Sequence, residues 1–305
     1  MPDNDTLCGW GNEAKVAYFL ANAATIVPRR AEQINLLTQL LPYPPDAAVS
    51  VLDLGAGFGA VTQQILEHYR RATVTCVDGS QAMVAHAAER LRKYGERVKI
   101  LQADLAEPSW FHILLKPTAL SVESTEPARR SAVIQGRAQP AAALVSRSPE
   151  PAEGGAEGNE WGRGESAIFD AAVSAIAIHH LSHQRKRELD RDVFQLLAPG
   201  GIFLNNDVVT TPPALKARFE VLNLAAIQEQ ERAQRGVART SEQIQAEMRE
   251  QLRLAGGQHQ SHIASLGDQL AWLTEAGFKS VDCYWRYLDL AIFGGVKERE
   301  EKDSR

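Results

Sequence analysis

The chain has 305 residues, 44% of them hydrophobic and 23% charged, and a formal net charge of -5. That length suits one large domain or two small ones and can bury a sizeable core. The acidic balance and the absence of a basic block argue against nucleic acid as the main partner, because phosphate binding leaves a basic footprint.

The first residues, Met1-Pro2-Asp3-Asn4-Asp5, lack the basic start and apolar run of a signal peptide. No apolar run approaches the ~18 residues of a membrane span. Cys8, Cys76 and Cys283 are odd in number, far apart and form no CxxC pair. They exclude a disulfide framework and a cysteine zinc site, and they fit reduced thiols in a cytoplasmic protein.

Two helices open the chain. Glu13 to Ala24 carries Val16, Phe19 and Leu20 on one face, and Glu32 to Leu41 carries Ile34, Leu37 and Leu41 before Pro42-Tyr43-Pro44-Pro45. Strands and helices then alternate. Val49–Leu54 reads as a strand, Val61–Tyr69 as a helix, Thr73–Val77 as a strand, Gln81–Lys93 as a helix and Val98–Leu101 as a strand. Such alternation implies a parallel sheet with helices on both faces.

The pattern breaks after His112. From there to Glu160 there is no Phe, Tyr or Trp, and prolines recur at 117, 127, 140, 149 and 151. A segment so poor in apolar surface cannot offset its ordering entropy. Residues 116–165 are therefore expected to be a disordered low-complexity insertion in one domain made of 1–115 and 166–305.

The alternation resumes with a strand over Ile168–Ser174, a helix over Gln184–Leu197 stopped by Pro199-Gly200-Gly201, and a strand over Ile202–Asn205. A helix follows Thr211-Pro212-Pro213 and ends at Gly236. Thr240 caps the next, with Gln243 three residues on as in a capping box. Leu266–Glu275 is a short helix. Ser280–Trp285 and Tyr287–Phe293 read as a closing antiparallel pair. The helices over 12–41 and 211–262 are placed to form a lid.

The strongest chemical signal is Val51-Leu52-Asp53-Leu54-Gly55-Ala56-Gly57-Phe58-Gly59. A strand ends in a glycine turn that leads into a helix, which makes a nucleotide-type crevice at the carboxyl end of a sheet. Gly55, Gly57 and Ala60 also fit a loose dinucleotide fingerprint. Asp53 argues against that ligand, since a pyrophosphate would meet an anion there. The cationic methionine ammonium of S-adenosylmethionine would instead be attracted. Asp78 closes the second strand, where a carboxylate accepts from both ribose hydroxyls, and Gly79 follows it. Asp104 closes the third strand, where a carboxylate suits the adenine amino group.

These residues, together with Ala103-Asp104-Leu105, the strand ending at Ser174 and Leu197-Ala198-Pro199-Gly200-Gly201, resemble the ordered motifs of class I S-adenosylmethionine-dependent methyltransferases. Val173 to Leu181, Gln269 to Phe278, Asp282 and Phe293-Gly294-Gly295 are similar to the small-molecule branch with a type 12 or type 25 methyltransferase domain. The resemblance implies a Rossmann-like three-layer α/β sandwich, with a mostly parallel seven-stranded sheet and a terminal antiparallel hairpin. It also implies S-adenosylmethionine as cofactor, held by Asp53, Gly55, Ala56 and Gly57 at the methionine end, Asp78 and Gly79 at the ribose, Asp104 and Leu105 at adenine, and Ser174 at the end of the fourth strand. The long insertion departs from the family pattern.

His179 and His180 follow the fourth strand, where a methyl acceptor would approach, and His179 is the candidate general base. His259 and His262 have HxxH spacing but no carboxylate or cysteine joins them, so no metal is expected. Trp272, Tyr284 and Trp285 read as packing residues. The implied activity is methyl transfer to an O, N or C nucleophile of a small molecule. The alternatives are tRNA wobble-uridine or cofactor modification on the same fold, an NAD-dependent oxidoreductase, and a non-catalytic S-adenosylmethionine-binding protein.

Overall fold

A computed structural model describes residues 10–115, 169–254 and 262–299. The expected insertion over 116–165 lies outside these residues, as does His259. Helices α1 (Glu13–Ile26) and α2 (Arg30–Gln39) precede the sheet. Then come β1 (Ser50–Leu54), α3 (Ala60–His68), β2 (Thr73–Asp78), α4 (Gln81–Leu91), β3 (Val98–Gln102) and α5 (Ser109–Leu115). The second half contains β4 (Phe169–Ala175), α6 (His183–Leu196), β5 (Leu197–Val208), α7 (Lys216–Arg235), α8 (Ser241–Leu254), α9 (Leu266–Ala276), β6 (Lys279–Tyr287) and β7 (Leu290–Val296).

The sheet order is β3-β2-β1-β4-β5-β7-β6. Strands β1 to β5 pair in parallel, and β7 runs antiparallel to both β5 and β6. The chain steps outward from β1 to β3, then crosses back to lay β4 on the other side of β1. That reversal opens a crevice at the carboxyl ends of β1 and β4, the place where this architecture binds ligands.

Strand alternation sorts the core into two layers. Leu52 and Leu54 face α6 and α9, packing with Leu189, Val193, Leu196 and Leu273. Val51, one residue out of step, faces α2, α3 and α4 with Leu37, Ile65 and Leu91. Asp53 shares the Val51 face and so lies beneath α3. The expected capping box at α8 forms, with Gln243 Oε1 accepting from the Thr240 amide at 2.9 Å and Thr240 Oγ1 accepting from the Gln243 amide at 3.3 Å. Among the described residues no helix is long and apolar enough to cross a membrane.

Two local readings change. Helix α5 was not expected, because its seven residues are too short to show periodicity and they abut the proline-rich stretch. The sequence also places Pro199-Gly200-Gly201 between a helix and a strand, whereas β5 runs through it from Leu197. Gly200 takes a left-handed φ of 88° and its amide donates to the Lys297 carbonyl at 2.5 Å. A Cβ on Gly201 would lie 2.8 Å from the Asp170 carbonyl oxygen. Backbone thus packs against backbone here, and the register with β4 shifts between Phe169 and Ala171.

Candidate functional site

The turn after β1 is held by backbone bonds that demand its glycines. The amides of Gly55 and Ala56 both donate to the Val77 carbonyl, at 2.8 and 3.1 Å. Gly55 and Gly57 have φ of 65° and 55°, values that a side chain penalises. A Cβ on Gly55 would stand 2.3 Å from the Ala177 Cβ, while one on Gly57 would meet nothing within 4 Å. The first glycine is therefore needed for packing, and the second leaves the cleft open above it.

Asp78 ends β2 and ties this loop down. Its Oδ2 accepts from the Gly57 amide at 2.8 Å and its Oδ1 from the Ser80 amide at 2.9 Å. Burial raises its pKa, and these two amides oppose the rise. Each oxygen keeps a second lone pair for a ligand hydroxyl. Asp104 lies across the cleft with its Oδ1 accepting from the Ala106 amide at 2.9 Å. Leu105 beside it is positioned by Arg185, whose Nε donates to the Leu105 carbonyl at 2.8 Å.

Asp53 is buried, and its Oδ2 accepts from the Thr62 hydroxyl at 2.6 Å. Its Oδ1 has no partner among the described residues. Burial raises its pKa to about 7, with the Asp78 charge adding to the rise and the Thr62 bond opposing it. An unpaired buried carboxylate oxygen at the floor of a cleft is a costly feature that a bound cation would relieve.

The cleft is lined by Asp53, Gly55, Ala56, Gly57, Asp78, Gly79, Asp104 and Leu105, so eight of the nine residues read from the sequence as cofactor-binding converge there. Ser174 does not line it. Its side chain is fully buried and its hydroxyl donates to the Leu54 carbonyl at 2.8 Å, bracing β4 against β1. The next three residues, Ala175, Ile176 and Ala177, line the cleft instead.

The sequence gives no signal for the cleft's outer wall. Trp10 comes from the segment before α1, its carbonyl accepting from the Ser80 hydroxyl at 2.7 Å and its indole N–H donating to His180 Nε2 at 3.0 Å. Phe58 and Met83 pack with Val16 and Ala23 of α1, which seats that helix on the glycine loop. His180 is the exception, since its place beside His179 after the fourth strand marks it in the sequence.

His179 faces a second cavity that adjoins the cleft through Trp10, Phe19, Ile176 and His180. Its Nδ1 lies 2.6 Å from Asp207 Oδ1 near the end of β5. That carboxylate oxygen also accepts from the Val208 amide at 2.8 Å. Both side chains are buried. Among the described residues no group of three or more His, Cys, Asp or Glu side chains forms a metal site. Trp272 is buried against His183, while Tyr284 is exposed, and neither lines the cleft.

Residues 51–113 match the model of a family described as "Methyltransferase domain". The release factor glutamine methyltransferase of Shewanella oneidensis is 35% identical over 94 residues, or 30% of this chain and 31% of that protein. Its counterpart in Geobacter sulfurreducens is 28% identical over 90 residues, again 30% of this chain and 31% of the relative. The matched segment thus spans about a third of these curated relatives. An O-methyltransferase family protein from Burkholderia thailandensis superposes with a TM-score of 0.56 at 13% identity, covering 96% of this chain and 62% of that one. That likeness shows the fold.

Proposed function

We propose that this chain is a class I S-adenosylmethionine-dependent methyltransferase and that it carries the methyl group to an O, N or C nucleophile of a small molecule. The observation that carries the reading is the unpaired buried Oδ1 of Asp53 at the floor of a glycine-lined cleft. It fits a cofactor with a cationic amino-acid end and no phosphate.

In this reading Asp53 faces the methionine ammonium, and the Gly55–Gly57 backbone passes beside the methionine moiety. Asp78 and Gly79 receive the ribose, and Asp104 and Leu105 receive adenine. When bound, S-adenosylmethionine supplies an electrophilic methyl on a sulfonium. The chain's own task is to hold an acceptor at attack distance and remove its proton, and much of the acceleration comes from that positioning. In this reading His179 does the second part. Asp207 engages its Nδ1, so Nε2 is the ring nitrogen that takes a proton from an acceptor hydroxyl, and the buried carboxylate steadies the imidazolium that results.

Helix α1 rests on the glycine loop through Val16 and Ala23, and α7 meets α8 through Leu224, Ile227 and Ile244. These elements serve as the lid, which excludes water from the reacting centre. The acidic net charge supports a small acceptor over RNA.

The test is calorimetric titration of S-adenosylmethionine and S-adenosylhomocysteine, with NAD as control, into the unmodified chain and Asp78→Ala. Micromolar binding of the first two, lost in the variant, is expected. Binding of NAD in their place would overturn the reading.

A further inference from the structure

The cavity beside the cofactor cleft bears on which acceptor enters. It has a volume of about 390 Å³, within the range of roughly 300–1,000 Å³ typical of small-molecule sites. It is continuous with the cleft at Trp10, Phe19, Ile176 and His180, and His179 stands in its wall.

Its lining is overwhelmingly apolar. Ile26, Val27, Val208, Ile227, Ile244 and Met248 supply aliphatic surface, and Trp10, Tyr18 and Phe19 supply rings along one side. The charged side chains at its edge are already engaged. Arg239 bonds both Glu231 and Glu247, and the Lys15 ammonium lies over the Trp10 ring, 4.3 Å from its centre. The wall therefore matches neither a phosphate nor a carboxylate. A carboxamide would fare poorly too, because each polar group buried there unpaired costs about 1–3 kcal/mol. The polar feature suited to a reacting group is the Asp207-supported imidazole.

We infer that the methyl acceptor is a neutral, largely apolar ring compound bearing one weakly acidic hydroxyl, with the ring in this cavity and the hydroxyl at His179. The assignment rests on the methyl-transfer reading above. It goes further in selecting an oxygen nucleophile on a hydrophobic body over a peptide glutamine or a nucleoside.

The test uses 1-naphthol as probe, with uridine and N-acetylglutamine amide as comparators. S-adenosylhomocysteine is titrated first, which decides the cofactor reading by itself. Each probe is then titrated into the protein saturated with it. Binding of 1-naphthol with a Kd below about 100 µM is expected, with the two polar probes at least tenfold weaker. Two substitutions fill the cavity from different helices, Ile244→Phe in α8 and Ile26→Trp in α1. Each should weaken 1-naphthol at least tenfold while S-adenosylhomocysteine binds as before, which also reports that the variant is folded. The acceptor assignment is overturned if S-adenosylhomocysteine binds but 1-naphthol does not. It is likewise overturned if a filled variant that still binds S-adenosylhomocysteine keeps its affinity for 1-naphthol, or if uridine or the glutamine amide binds more tightly. Failure of S-adenosylhomocysteine itself to bind overturns the methyl-transfer reading, and the acceptor assignment with it.

Discussion

The Asp78 carboxylate accepts a hydrogen bond from the Gly57 amide at 2.8 Å, so the end of β2 holds the loop that leaves β1. The same side chain accepts from Ser80, at the N-cap of α4. Asp78 is thus part of the frame before any ligand arrives. Asp78→Ala removes both bonds and is expected to weaken S-adenosylhomocysteine at least 100-fold, since charged hydrogen bonds contribute about 1.5–3 kcal/mol each. Asp78→Asn, which keeps one accepting oxygen, should fall between the two. Calorimetry on the three proteins checks the order, and equal affinities would refute it.

In the proposed reading, Asp53 should make cofactor affinity pH-dependent. Its carboxyl is raised to about 7 by burial, so below that value it is largely protonated and neutral in the empty protein. A cationic ligand favours the ionised form, so binding releases a proton and tightens as pH rises. The dissociation constant should be about tenfold weaker at pH 6 than at pH 8. In Asp53→Asn the dependence should flatten at a uniformly weak value. Proton release is measured by titration in buffers of different ionisation enthalpy, and none at pH 6.5 would contradict the prediction.

The same group bears on stability with the opposite sign to a salt-bridged carboxylate. Its folded pKa lies above the unfolded value of 3.8. Its ionised form is therefore a penalty on the fold, complete above pH 7, shrinking as pH falls and gone near pH 4. Asp53→Asn, whose amide oxygen can still accept from Thr62, should raise the melting temperature by roughly 5 °C at pH 8 and leave it nearly unchanged at pH 4.5. A scan at the two pH values decides it.

The two central glycines of the loop should fail differently. Gly55→Ala forces its new Cβ against Ala177, 2.3 Å away, and should cost about 1–3 kcal/mol of stability as well as cofactor affinity. Gly57→Ala points into open cleft, so it should spare most of the melting temperature, costing about 1 kcal/mol for its left-handed backbone, yet still weaken the cofactor. Denaturant melts beside titrations separate the two effects. Equal loss of stability in both would count against this division.

His179 and Asp207 should act as a unit. His179→Gln is expected to lower kcat by about 100-fold or more with any acceptor that must lose a proton. Asp207→Asn should do nearly the same, with the double variant little worse than either. An acceptor already ionised, such as a thiolate, should be spared. If the two losses simply multiply, the dyad is not a unit.

Much of this site was legible in the chain because each part is local. A short apolar strand that ends in Gly55-Ala56-Gly57 and opens a helix identifies the turn without any distant contact. Asp53, Gly55, Gly57, Asp78 and Asp104 could be named from their places in the glycine turn and at strand ends, whereas Ala56, Gly79 and Leu105 come with the family resemblance, and all eight line the cleft. The order of strands and helices also predicts the parallel sheet and its closing antiparallel hairpin.

Only the tertiary structure decided which side chains meet across the sheet. Ser174 follows the same logic as Asp53, yet its hydroxyl turns to Leu54 on the neighbouring strand, because β4 docks against β1 in that register. His179 gains Asp207 from 28 residues away and His180 gains Trp10 from 170 residues away. The apolar cavity gathers α1, α7 and α8 around the end of β5. Local pattern specifies strands and turns through the period of the backbone. Contacts between distant residues depend on strand order and helix packing, which the folded core sets as a whole.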